Sequence, residues 1–193
     1  MEYQANRYLG TRAVGEGPRA RWDGRFVGAS VLALSLLMAV AWPGHAQVIG
    51  EEAELDRLKT KAEEAMGNDD AEGAAMNMGR AALMAMQLRK RHPEPAVRQV
   101  FKATEHLYRS QEHGYRGLAL FRRAGGELPA SAGVCGSLQL AQLELHHAQD
   151  TLAAPDPTET PTTASPKLPA LRQTADDWAI VLSSMHSEFR CPD

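Results

Sequence analysis

Two cysteines, Cys135 and Cys191, stand at the ends of two helical stripes. Over residues 131–153, Cys135, Leu138, Ala141, Leu145, Ala148 and Leu152 recur at steps of three and four, which puts them on one helix face. Over 170–190, Leu171, Ala175, Trp178, Leu182, Met185 and Phe189 do the same and make the clearest amphipathic face in the chain. Between them, residues 154–169 read APDPTETPTTASPKLP, a composition that cannot build a core and reads as a semi-extended linker. Helices of these lengths are each roughly 30 Å long, so antiparallel pairing lays the start of one beside the end of the other. That geometry predicts a Cys135–Cys191 disulfide closing a helical hairpin, with a loop-entropy contribution of about 4 kcal/mol.

A disulfide needs an oxidising compartment, and the N-terminus supplies a route to one. Residues 1–26 carry five arginines against three acids, and residues 27–42, VGASVLALSLLMAVAW, carry no charge. Pro43 ends the run, and Gly44-His45-Ala46 puts small residues three places and one place before a cut after Ala46. This is the pattern of a secretory signal peptide over 1–46, leaving Gln47 first in the mature chain. The alternative is an uncleaved anchor, although 16 residues fall short of the roughly 20 that span a bilayer. The expected location is periplasmic or secreted, or membrane-anchored if the segment is kept.

The intervening residues repeat the helical period. One helix is expected over 51–66 through Leu55, Leu58, Ala62 and Ala65, with Gly67 to Asp70 as a turn and N-cap. A second, over 70–91, carries Ala74, Met78, Ala81, Met84 or Ala85, and Leu88, and Pro93 and Pro95 stop it. A third, over 95–112, carries Val97, Val100 or Phe101, Thr104 and Tyr108. Gly114 reads as a turn before a short fourth helix over 115–124, with Leu118, Phe121 and Ala124. Strand patterns are almost absent, and aromatics make up only 6% of 193 residues. The expected fold class is all-α, built as antiparallel helical hairpins or an irregular bundle. The expected organisation is a helical domain over 47–153, a linker over 154–169 and a C-terminal helix over 170–193 packing back on the domain.

Phe101, Tyr108, Gly117, Phe121, Ala124 and Pro129 fall at offsets that resemble a tetratricopeptide repeat, and Leu58, Ala62, Ala74, Met78 and Ala81 form a poorer copy. Thr104-Glu105 replace that repeat's usual Leu-Gly pair, and Ala74 to Gly117 spans 43 residues rather than the repeat's 34. The resemblance implies a protein-binding scaffold without catalysis.

No nucleophile elbow, P-loop or dinucleotide fingerprint is present, so no catalytic residue, cofactor or small-molecule substrate is expected. The paired acids at Glu63-Glu64, Asp69-Asp70 and Asp176-Asp177 sit where helix capping accounts for them. No metal site is expected either. The residues from which one would be built are His106 and His113, seven apart, near Glu105 and Glu112, while adjacent His146 and His147 point about 100° apart. Five methionines, Met66, Met76, Met78, Met84 and Met86, crowd the first two helices and suit either a core or an adaptable groove.

Charge is the most suggestive pattern. The whole chain is near neutral at −3, yet residues 51–72 hold nine acids against three bases, and residues 80–123 hold ten bases against three acids. Two readings follow: the acidic helix neutralises the basic middle, or the middle presents a basic face. That face would comprise Arg89, Lys90, Arg91, Arg98, Lys102, Arg109, Arg116, Arg122 and Arg123. Its expected partner is another envelope protein, acidic in character, with an anionic membrane surface as the other candidate. Nucleic acid is disfavoured by export. The function expected from the sequence is a non-enzymatic exported scaffold or accessory subunit. The alternatives are a single-span subunit of an envelope complex and a metal-binding helical bundle.

Overall fold

The computed structural model describes residues 43–154 and 167–192, the first seven of them by their backbone only. The signal or anchor segment up to residue 42 and linker residues 155–166 lie outside the described residues. The rest is five helices: α1 Pro43–Gly67, α2 Ala71–Arg91, α3 Pro95–Arg123, α4 Ala132–Ala153 and α5 Lys167–Glu188. Among the described residues there is no strand, and that part of the chain is all-α. No described helix is long and apolar enough to cross a membrane.

The stripes read from the sequence form one core. Leu55, Leu58, Ala62, Ala74, Met78, Ala81, Ala85, Leu88, Val100, Phe101 and Tyr108 are buried in it. So are Leu138, Ala141, Leu145, Ala148 and Leu152 of α4, and Ala175, Trp178, Leu182 and Phe189 from the C-terminal stripe. Each of α1 to α4 packs on the next, and α5 returns over α4 and α3. Cross-helix bonds fix the α3–α4 pair as antiparallel: Gln99 donates to the Thr151 carbonyl (2.8 Å), Ser110 to Ala141 (2.7 Å) and Ser137 to His113 (3.1 Å).

Three helices stop in the same way. After α3, Gly125 and Gly126 take positive φ, and their N–H groups donate to the Arg122 and Phe121 carbonyls. Asp69 after α1 and Arg190 after α5 take the same left-handed backbone, with equivalent bonds from Asp69 and Asp70, and from Arg190 and Cys191. These bonds satisfy carbonyls that a helix end otherwise leaves open. Asp70 then caps α2, accepting from the Gly73 N–H at 2.8 Å.

The structure changes the expected element list at two places. Gly114 is not a turn: α3 runs without a break through it for 29 residues. The glycine is there for a close approach. A Cβ on it would lie 2.6 Å from Trp178 Cζ2 and 3.2 Å from Leu182 Cδ2. It is a notch into which α5 seats its indole, whose Nε1 donates to Ser110 Oγ at 2.8 Å. The expected third and fourth helices are therefore one. Phe101, Tyr108, Gly117 and Phe121, which carry the repeat resemblance, lie along a single rod rather than across a helix pair. The second change is at the linker. Lys167, Leu168 and Pro169 already belong to α5, because proline is tolerated in a helix's first turn and Leu168 is buried.

The Cys135–Cys191 disulfide is formed, with the Cα atoms 5.5 Å apart. The same end of the molecule holds a Phe121–Phe189 ring stack (4.1 Å between centroids) and a backbone bond from Ala130 N–H to the Phe189 carbonyl (2.9 Å).

Candidate functional site

Along α3, Lys102, Arg109, Arg116 and Arg123 recur every seven residues. Seven residues are nearly two turns, so these cations line one edge of the helix for about 30 Å. That edge borders a groove of about 860 Å³ between α2 and α3. Asp70 and, from α2, Glu72, Gly73, Ala75, Met76, Gly79, Arg80 and Leu83 line one side; from α3 come Arg109, Glu112, Arg116, Ala119, Leu120 and Arg123, so four arginines face three acids. Met76 and Leu83 are 53% and 49% exposed. Spaced seven apart on α2, they give the groove an exposed apolar strip among its charged residues.

Small residues and one buried acid shape the groove. A Cβ on Gly79 would lie 2.9 Å from the Glu112 carboxyl carbon, so the glycine lets that carboxylate fold down between the helices beside Arg116, with which it pairs. Glu105 is buried between the same helices and faces Arg89 at 3.4 Å and Arg109 at 3.6 Å. A buried carboxylate needs compensating charge, and Arg89 and Arg109 supply it as ion pairs, while Glu105 Oε2 has no hydrogen-bond partner.

The nine cations expected to form one basic face do not all share a surface. Arg109, Arg116 and Arg123 line the groove, and Lys102 continues their row. Arg89 reaches them only through Glu105. Arg98 donates to the Pro93 carbonyl at 3.0 Å, and Lys90 and Arg91 end α2. Arg91 pairs with Glu51, and Arg122 with Asp69 (2.6 Å) beyond the end of α1. Neutralisation by the acidic first helix thus accounts for part of the pattern, and the groove row for the rest. Arg123 pairs with Glu72 at 2.8 Å. Exposed pairs of this kind contribute little, about 0–1 kcal/mol, so an incoming carboxylate exchanges for them at small cost. Sequence reasoning left Arg80, Met76 and Leu83 off the site. The seven-residue recurrence on both helices was the available signal.

The histidines also regroup. Glu105 faces Arg89, and Glu112 lies against Gly79 and Arg116, so both acids sit toward α2. His106 and His113 lie on the side of α3 toward α4, and the four candidate residues do not converge. His106 Nδ1 instead meets Glu144 at 2.7 Å, and its ring stands edge-on to His147 with centroids 5.3 Å apart. The signal for this was Glu144-Leu145-His146-His147, an acid and an imidazole three apart on one helix, a spacing that sequence reasoning wrongly took to be absent.

His113 has a buried Nδ1 with no partner. Burial pushes its pKa below the ordinary 6.5; Glu112 and Glu144 oppose the shift, while Arg116 and Arg109 add to it. The unfolded chain then binds a proton there more readily than the native one. The stabilising contribution is complete above the unfolded pKa and is lost as pH falls through the folded value. Chemical denaturation of wild type between about pH 7 and about pH 5 should show stability falling on acidification. The His113→Gln variant should show a shallower fall.

Comparison of the chain with protein-family models, curated proteins and solved structures yields no match.

Proposed function

We propose that the chain is an exported, non-enzymatic binding module whose α2–α3 groove receives an acidic amphipathic helix of another envelope protein. The carrying observation is a groove lined by exposed Met76 and Leu83 together with Arg80, Arg109, Arg116 and Arg123, whose positive charge exceeds the negative charge of Asp70, Glu72 and Glu112 in the same lining. A helix with one apolar stripe flanked by carboxylates complements both parts. Exposed apolar side chains mark a partner site when they gather in one patch rather than singly, and Met76 and Leu83 line the same groove. Export is supported by the signal-like pattern over 1–46 and by the pairing of both cysteines.

The test uses two designed peptides, one with leucines on one helical face and glutamates on the other, and its lysine counterpart. The acidic peptide should bind, and its affinity should fall as salt screens the arginines. Combining Arg109→Glu with Arg116→Glu should weaken binding at least about tenfold, because two attractive contacts become repulsive. Equal binding of both peptides, or no binding of the acidic one at low salt, would overturn the reading.

A further inference from the structure

We infer that His106, Glu144 and His147 form a binding site for a first-row divalent cation of the zinc class, on the side of α3 away from the groove. Each residue offers one ligand atom, and these atoms all lie within 4.8 Å of one another. Among the described residues this is the group of metal-binding side chains that comes together.

The helices prepare the arrangement. Glu144 and His147 are three apart on α4 and so share a face, while His106 comes from α3. Their register across the seam is set on both sides. Ser110 Oγ holds the Ala141 carbonyl toward one end, and Gln99 holds the Thr151 and Ala154 carbonyls toward the other. Ser110 is fully buried. The cluster therefore sits on two rigid elements whose relative position is fixed before any ion arrives, the condition for a site that binds without reorganising its backbone.

The donor set selects the ion. Two neutral imidazoles and one carboxylate suit zinc and its neighbours, whereas magnesium and calcium prefer oxygen alone. Three protein ligands leave a fourth tetrahedral position for water. His106 and Glu144 side chains are 20% and 21% exposed, which gives an ion a way in and also lowers the dielectric around it. Without an ion, His106 Nδ1 and Glu144 Oε2 are 2.7 Å apart in a hydrogen bond. In a tetrahedral site with bonds of about 2.0–2.1 Å, ligand atoms stand about 3.3 Å apart. Seating the ion replaces a shared proton and opens that pair by a fraction of an ångström, while His147 closes in by side-chain rotation.

The inference does not rest on the groove, and its test is separate. Full-length chain purified without a histidine tag and stripped with chelator is titrated with zinc by calorimetry. Cobalt is added in parallel as a spectroscopic probe. One zinc should bind per chain, raise the thermal midpoint, and leave cobalt with the visible absorption of a tetrahedral site. His147→Ala and Glu144→Gln should each weaken zinc by at least the roughly tenfold to hundredfold that loss of a supporting partner costs in metal sites. His146→Ala, next door on the same helix, should change it less than about twofold by the same standard. The zinc-induced rise in midpoint should disappear in the His147 and Glu144 variants, whose folding is checked by circular dichroism. Absence of one-to-one binding, or equal weakening by His146→Ala and His147→Ala, would overturn the site.

Discussion

Trp178→Ala is expected to lower the free energy of unfolding by about 3–5 kcal/mol, the range for deleting a buried aromatic. The indole fills the notch over Gly114, donates to Ser110 Oγ and meets Tyr115 edge-on at 5.3 Å. Its loss leaves a cavity between α3 and α5 and removes a buried hydrogen bond. The converse substitution tests the same contact from the other side. Gly114→Ala puts a methyl 2.6 Å from the indole, and overpacking of this kind costs about 1–3 kcal/mol. Combined with Trp178→Ala the sign should reverse. The indole clash is gone, only the flexible Leu182 Cδ2 at 3.2 Å has to give by a few tenths of an ångström, and alanine exceeds glycine in helix propensity by about 1 kcal/mol. A double-mutant cycle by urea denaturation reads this coupling directly. Additive effects of the two changes would show that Gly114 is not kept small for Trp178.

Removing the disulfide is the second large effect. Cys135 and Cys191 are separated by 56 positions, and releasing a loop of that length should cost about 4 kcal/mol on the chain-entropy model. Combining Cys135→Ser with Cys191→Ser should reproduce the loss seen in wild type treated with reductant, as measured by denaturant midpoint. Hydrogen exchange should show the loss first in α5, which packs on α4 and α3. An unchanged midpoint after reduction would contradict the assignment of the staple.

The fold was largely legible because helical periodicity and burial report the same thing. Leu138, Ala141, Leu145, Ala148 and Leu152 are on one stripe in the sequence and in one core in the structure. Cysteine position added a long-range constraint that periodicity lacks, and it correctly paired the last two helices. Gly114 was misread because glycine has two uses, and a single sequence does not separate them. It ends helices through positive φ, as Gly125 does, and it admits a neighbouring side chain, as here. The choice is made by Trp178, 64 positions away in the chain.

The site was less legible than the fold. Net charge identified the basic middle, but charge sums say nothing of pairing, and Glu51, Glu105 and Asp69 absorb several of the cations. Arg80 belongs to the groove because α2 and α3 bring it beside Arg116, which local patterns do not state. The histidines show the same limit. His106 was considered with His113 on its own helix, whereas its ligand partners come from the helix packed against it.

The Cys135–Cys191 bond also sets the covalent topology. Residues 135–191 form a closed ring. A cut at any single peptide bond within residues 155–166 leaves one molecule of unchanged connectivity at the core, with α5 still joined to α4 through sulfur. A protease acting there opens the ring without releasing a fragment. On a gel the event is silent until reductant is added.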